Sequence, residues 1–254
     1  MPIKILAFDG DDTLWHNETH FQLTQGEFRD LVKRHVPDAD VDARLFATEM
    51  ANLSLYGYGI KSFTLSMLET AITVTDGRIP AGDLEVILGW GKRMLREPTE
   101  LLEGVRETLN ELAGRYSLLL ITKGDLFDQE GKLARSGLAE LFSGVEILSD
   151  KHVESYRRVL HQRGIAADEF VMVGNSLRSD VVPVVEMGGL AVHIPYHLTW
   201  HHEHVDEESL PVQGWYRVSS IRELGGVLTS IGNSNRQQLQ SSRTGTKRDP
   251  ARSQ

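Results

Sequence analysis

The chain opens on a short, largely apolar run, Ile3 to Phe8, that stops at an aspartate. Apolar residues at successive positions, rather than in alternation, predict a strand buried on both faces, as in a parallel sheet. From about Glu18 to Glu97 the spacing becomes helical. Phe21, Phe28, Leu31 and Val32 share one face ahead of Pro37, and Leu45, Met50 and Leu53 mark a second helix. Ser62 begins a third, through Phe63, Met67, Ala71 and Ile72, and Leu84, Ile87, Leu88, Gly91 and Leu95 line a fourth between Pro80 and Pro98. No strand-like run interrupts this block, so an all-helical insert is expected. Beyond Pro98 strands and helices alternate. A helix through Val105, Leu109 and Leu112 precedes strand 117–121, helix 125–135 and a short strand 145–148. Helix 152–163, strand 170–173, helix 179–187 and strand 190–194 follow, then a last pair, strand 216–218 and helix 220–228. Such alternation predicts a parallel sheet with helices on both faces. The expected fold is α/β: a doubly wound parallel sheet built from residues 1–14 and 98–230, with an inserted all-helical domain at 15–97.

Composition narrows the function. The 254 residues are 40% hydrophobic and 25% charged, ordinary for a globular chain of this architecture. Cysteine is absent, which excludes a thiol nucleophile, a disulfide scaffold and a Cys-ligated metal. Net charge is −9, and residues 231–254 carry five basic residues against one acidic, so the body is more acidic still. That balance argues against nucleic acid as the ligand, and the polar tail is expected to be disordered. No run approaches the ~20 apolar residues of a membrane span. The first apolar run is too short for a signal peptide, so a cytoplasmic protein is expected.

Candidate chemistry sits where strands end. Asp9-Gly10-Asp11-Asp12-Thr13 follows the first strand directly. In an open parallel sheet ligands bind at the carboxyl ends of strands. Two carboxylates there, Asp9 and Asp11, invite a divalent cation, which would let one remain ionised as a nucleophile while the other carries protons. Turn-forming and helix-capping roles for Asp and Thr stand beside that reading. An EF-hand does not, because position 14 is Leu and position 20 is His where such a loop needs Gly and Glu. Strand 117–121 runs into Thr122-Lys123-Gly124-Asp125, where a hydroxyl and a glycine turn at a helix start suit a phosphate oxygen or, equally, a helix cap. Lys151 follows the short strand, and Gly174-Asn175-Ser176-Leu177-Arg178-Ser179-Asp180 follows strand 170–173, with Asn175 and Asp180 as further oxygen ligands or caps.

In order and placement these segments resemble the haloacid dehalogenase superfamily of hydrolases. Asp9, Asp11 and Thr13 match its first motif, Thr122 its second, Lys151 its third, and Gly174 with Asp180 its fourth. The resemblance covers residues 3 to about 228, and the helical block corresponds to a C1-type cap. Three positions depart from the pattern: Asp12 stands where many members have Gly, His152 where Pro often follows the lysine, and Asn175 where the last motif has its first acid. The resemblance implies a Rossmann-like core with a helical cap. It also implies a phosphatase mechanism. Asp9 attacks phosphorus to form an aspartyl phosphate; Asp11 protonates the leaving oxygen and then activates water. Mg²⁺ is held by Asp9, Asp11, Asp180 and Asn175, and phosphate oxygens by Thr122, Lys123 and Lys151. Asp11 favours phosphate monoesters over haloacids, whose dehalogenases lack an acid there. The expected substrate is a small phosphorylated metabolite, touched from the cap by Tyr56, Tyr58 or Lys61 on a glycine-rich loop. A phosphotransferase or mutase on the same scaffold, and a catalytically weak phosphate-binding regulator, are the alternatives. Neither nucleic acid nor membrane is an expected partner. His197 and His201 have a spacing that suits zinc, although no third ligand is identifiable. A nicotinamide dehydrogenase is disfavoured because no G-x-G-x-x-G follows the first strand.

Overall fold

The computed structural model describes residues 3–233, and the tail from 234 onward, expected to be disordered, lies outside the described residues. Strand β1 (Ile5–Phe8) is buried throughout. Its side chains alternate between two cores: Leu6 and Phe8 enter one, Ile5 and Ala7 the other. An unbroken apolar run is what a strand covered on both faces requires. Five more strands join it, all parallel: β2 (Ser117–Lys123), β3 (Gly144–Leu148), β4 (Phe170–Gly174), β5 (Leu190–His193) and β6 (Trp215–Arg217). Their order is β3-β2-β1-β4-β5-β6. The direction of winding reverses between β1 and β4, and at such a switch point the connections leave toward opposite faces and open a crevice.

Helix α5 (Val105–Ala113) and a helix α9 at 224–233 cover one face, through Val105, Leu109, Leu112, Leu224 and Leu228. Helices α7 (Val153–Arg163) and α8 (Val182–Glu186) cover the other through Tyr156, Val159, Leu160 and Val184. Helix α6 (Leu126–Ser136) follows β2. The expected helix 179–187 is split: a π-turn at Leu177–Val181 precedes α8. Pro183 supplies the reason. It has no N–H to give to the carbonyl four residues back, and the Tyr156 hydroxyl donates to that Ser179 oxygen instead, at 2.9 Å.

Between β1 and α5 lie four helices: α1 (Glu18–Lys33), α2 (Val41–Tyr56), α3 (Ile60–Val74) and α4 (Ala81–Met94). They enclose a core of their own, including Phe28, Leu31, Leu45, Phe63, Met67 and Ile87. Leu88, expected on the inner side of α4, is exposed; Ile87, Gly91 and Met94 face inward instead. The two connections to this insert run side by side. His16 N–H donates to Glu100 O at 3.0 Å, and Leu102 N–H to Leu14 O at 3.0 Å. Among the described residues no helix is long and apolar enough to cross a membrane.

Candidate active site

The site begins where β1 ends. Asp9 N–H donates to Val173 O of β4 at 2.9 Å, which fixes the first carboxylate at the switch point. Gly10 is needed next, because a Cβ there would lie 2.7 Å from the buried Trp15 ring. Asp12 then takes a left-handed conformation, φ 59°, which aspartate tolerates better than most residues. Its carboxylate accepts the Asn17 and Glu18 backbone N–H groups at 2.9 and 3.0 Å, at the start of α1. The helix-capping alternative therefore applies to Asp12, which leaves Asp9 and Asp11 facing the crevice.

Lys151, beyond β3, donates to Asp9 Oδ1 and, at 2.8 Å, to Asp180 Oδ1. All three are buried. Asp180 lies so close under β4 that a Cβ on Gly174 would stand 2.1 Å from its Oδ2, the atom that also accepts Ser176 N–H at 3.1 Å. Burial pushes Asp9 up to about 7; Lys151 opposes the shift and the Asp180 charge adds to it. Burial works against the Lys151 charge, but Asp180 and Asp9 outweigh it and raise the ammonium's pKa.

Asp11 has different surroundings. Its Oδ1 accepts Trp15 Nε1–H at 2.7 Å and Lys132 Nζ at 2.9 Å; its Oδ2 accepts Gln129 Nε2–H at 2.9 Å and the same lysine at 3.1 Å. Burial alone would raise this carboxyl, but Lys132, Gln129 and Trp15 hold it below the ordinary aspartate value. Thr122 joins the same network by donating to Gln129 Oε1 at 3.2 Å.

The Asn175 amide meets these groups from β4, and each of its two orientations has a distinct meaning. In one, its oxygen accepts from Thr13 Oγ1 at 3.2 Å. In the other, its nitrogen stands there and donates to Asp9 Oδ2 and the Asp11 carbonyl oxygen, each at 3.2 Å. Without a cation the second orientation satisfies the hydrogen bonds; in the first, the amide oxygen stands 3.2 Å from both Asp9 Oδ2 and the Asp11 carbonyl oxygen with no proton between them, an arrangement that calls for a cation. Oxygens bound at 2.0–2.1 Å on an octahedral Mg²⁺ stand about 3 Å apart, so this all-oxygen set with one or two carboxylates fits that ion. Among the described residues no three His, Cys, Asp or Glu side chains form a metal cage, which also leaves the zinc reading of His197 and His201 without a site.

Lys123 lines the cavity, and its ammonium is already engaged: it donates to Ser179 Oγ at 2.9 Å, pairs with Glu203, and lies 4.2 Å from the centre of the Tyr58 ring. Tyr56 and Lys61 do not line the cavity. Helix α2 runs on to Tyr56, which is half exposed, and Lys61 pairs with Asp125 at 2.9 Å. Tyr58 does line it. The sequence reading missed Gln129, Lys132 and Glu203. For the first two a signal existed: the inward face of α6 carries Asp128, Gln129, Lys132 and Ser136 where apolar residues belong. Glu203 comes from a short 3₁₀ turn at His201–Glu203 and accepts from Ser176 and Ser179 hydroxyls. Burial would raise its pKa, but Lys123 and those hydroxyls hold it down to about 2.

Floor and insert together enclose a cavity of about 160 Å³. Strand ends supply Asp9, Thr122, Lys151 and Asn175; the insert supplies Glu18, Phe21, Glu49, Tyr58 and Phe63; the segment after β5 adds Leu198, Trp200 and Glu203.

A Rossmann-like sheet with paired aspartates and a buried lysine at its switch point, roofed by inserted helices, makes this an α/β protein with its candidate active site between sheet and insert. Comparison with known proteins places it further. The family profile of the haloacid dehalogenase-like hydrolases matches residues 3–185, and the chain belongs to that family. A haloacid dehalogenase-like hydrolase from Xanthomonas campestris has a similar structure, with a TM-score of 0.82 and 38% identity over 92% of this chain and 94% of that one. The glyceraldehyde 3-phosphate phosphatase of Methanocaldococcus jannaschii is 26% identical over 248 residues, 90% of this chain and 98% of its own. The HAD-hydrolase YfnB of Bacillus subtilis, solved bound to magnesium, shares the fold with a TM-score of 0.62 and 16% identity over 90% of this chain and 99% of its own.

Proposed function

We propose that this chain is a Mg²⁺-dependent phosphatase that hydrolyses a small phosphate monoester through an aspartyl phosphate on Asp9. The observation that carries the reading is the convergence of Asp9, Lys151 and Asp180 beside Asn175 at the β1/β4 switch point, with Asp11 two residues on. Asp9 presents one oxygen to Lys151 and the other to Asn175, and it is the nucleophile. Mg²⁺ held by Asp9, the Asp11 carbonyl, Asn175 and Asp180 supplies positive charge that keeps Asp9 ionised and cancels its repulsion with phosphate. Lys151 stays protonated and balances charge on the non-reacting phosphate oxygens, with Thr122 lining the same cavity. Trp15, Gln129 and Lys132 hold Asp11 as a carboxylate, the form that takes a proton from the water attacking the phosphoenzyme. For the first half-reaction Asp11 takes up a proton as the entering phosphate raises its pKa, gives that proton to the leaving oxygen, and regains one from the attacking water in the second.

An acid at position 11 favours phosphate over haloacid chemistry. The size of the cavity, similar to the ~150 Å³ void that accepts benzene, suits a short leaving group. The relative named for glyceraldehyde 3-phosphate and the magnesium-bound neighbour lend further support. The helices 18–94 act as the cap. The test is release of inorganic phosphate from p-nitrophenyl phosphate with and without Mg²⁺, together with intact-mass detection of a phosphoryl adduct on Asp9. Phosphate release that needs the metal and is lost in Asp9→Asn supports the reading. Turnover that survives Asp9→Asn, or transfer to a sugar acceptor in place of water, defeats it.

A further inference from the structure

We infer that the roof of the cavity recognises a positively charged group, so that the ester hydrolysed carries an ammonium on its leaving group. The inference rests on the phosphatase reading and adds the substrate class. Seven carboxyl side chains and three lysines line the cavity. All three lysines belong to the floor, and each is committed: Lys151 to Asp9 and Asp180, Lys132 to Asp11, Lys123 to Glu203. The roof has none. Glu18 of α1 and Glu49 of α2 face the cavity, and among the described residues neither has an ion-pair partner. Burial pushes Glu49 up to about 7, with the Glu18 charge adding to it. Burial does the same to Glu18, although the Gln22 amide offsets part of the shift.

Two independent observations point to a ligand rather than to a mere acidic patch. Ser62, in the first turn of α3, is 8% exposed and lines the same cavity, and its hydroxyl has no hydrogen-bond partner among the described residues. Phe21, Phe63 and Trp200 add aromatic surface to the same cavity. Carboxylates without a counter-charge, an unused hydroxyl and aromatic rings form the usual surroundings of a bound ammonium. Such a group would supply the missing charge to both glutamates and a donor to Ser62. A carboxylate or second phosphate in that place would meet like charge, and a neutral hydroxyl would gain hydrogen bonds alone.

The test compares aminoethyl, hydroxyethyl and carboxymethyl phosphate, with p-nitrophenyl phosphate as a generic substrate and Mg²⁺ present. The expected order of kcat/KM is amino over hydroxy over carboxy, with about tenfold or more at each step. In Glu49→Gln and in Glu18→Gln the preference for amino over hydroxy falls about tenfold, with near-ultraviolet circular dichroism unchanged. Calorimetry on the Asp9→Asn chain reads the same preference as binding, without turnover. Hydrolysis of p-nitrophenyl phosphate with an equal or inverted order among the three esters overturns this inference and leaves the phosphatase intact. Absence of all hydrolysis, with tighter binding of the amino ester retained, overturns the phosphatase reading and keeps the cation site. Absence of both overturns the two together.

Discussion

The floor and the roof of this cavity treat charge in opposite ways. On the floor every lysine is matched to a carboxylate, and Glu203, ringed by Lys123 and two serines, is held down to about 2. On the roof Glu18 and Glu49 have no cation, and burial pushes both up to about 7. The scaffolds differ accordingly. Strand ends are pinned by the ladder of a parallel sheet, as Asp9 is by Val173, whereas the roof hangs from helices with a separate core. A site whose charges are balanced within the chain is organised for one constant group, which in the proposed function is phosphate with its metal. A site whose charges are left open is organised for the part of the substrate that varies.

The sharpest way to break this division is at the nucleophile. Asp9→Asn keeps the shape but removes the anion to which the proposed mechanism assigns the attack on phosphorus, and turnover should fall by about 10⁴-fold or more, with unchanged far-ultraviolet circular dichroism. Next comes the lysine that balances the floor. Lys151→Met leaves Asp9 and Asp180 facing each other, both buried, without compensation. Stability of the metal-free protein should drop by about 3–5 kcal/mol in urea titrations, and Mg²⁺ should restore more of it in the variant than in the parent. A loss below about 1 kcal/mol would mean that the floor does not depend on its internal balance.

A pH series sharpens the contrast, because the two regions predict slopes of opposite sign. Glu49 has a folded pKa of about 7 against an ordinary 4.5, so its contribution is fully present below pH 4.5 and is lost as pH rises through 7. Glu203 has a folded pKa of about 2, so its contribution is present above pH 4.5 and is lost as pH falls through 2. Each amounts to roughly 3 kcal/mol at most. Glu49→Gln should therefore gain stability relative to the parent between pH 5 and 8, and Glu203→Gln should lose its disadvantage between pH 4.5 and 2, both read by urea midpoints. Parallel slopes in the two variants would erase the distinction.

The same division governs what the sequence could reveal. The sheet was legible because strands buried on both faces read as unbroken apolar runs, and the insert because its period changes to that of helices. The floor's Asp9, Asp11, Lys151, Asn175 and Asp180 were legible because each lies in the segment that follows a strand, within six residues of its end. Gln129 and Lys132 were missed although their polar stripe on α6 is visible in the sequence, since such a stripe reads as a solvated face until the fold turns it inward. Glu203 was not legible, since its partners Lys123, Ser176 and Ser179 come from two distant connections. On the roof, one misplaced boundary decided the outcome. A loop was expected from Leu55, but α2 continues to Tyr56 and α3 starts at Ile60, so three residues make the turn and only Tyr58 of the two tyrosines reaches the cavity.

The smallest effect is expected at the seam between the two regions. Lys61 reaches from α3 to Asp125, with Nζ to oxygen distances of 2.9 and 3.0 Å, and lies 5.6 Å from the Phe127 ring centre. The lysine side chain is 52% exposed. Asp125 also caps α6 by accepting Asp128 N–H at 3.1 Å, so its carboxylate keeps a partner when the lysine is gone. Exposed pairs of this kind are worth about 0–1 kcal/mol and weaken with salt. Lys61→Ala should thus cost less than about 1 kcal/mol, a difference that disappears at about 1 M salt, and should leave KM for small esters within about twofold. The two measurements separate the two roles open to this residue. A lysine at the seam changes a salt-dependent stability and leaves KM alone, whereas a lysine that reaches the leaving group raises KM at constant kcat. A tenfold rise in KM would bring a cation into the roof, and the roof would then no longer be the uncompensated half of the cavity.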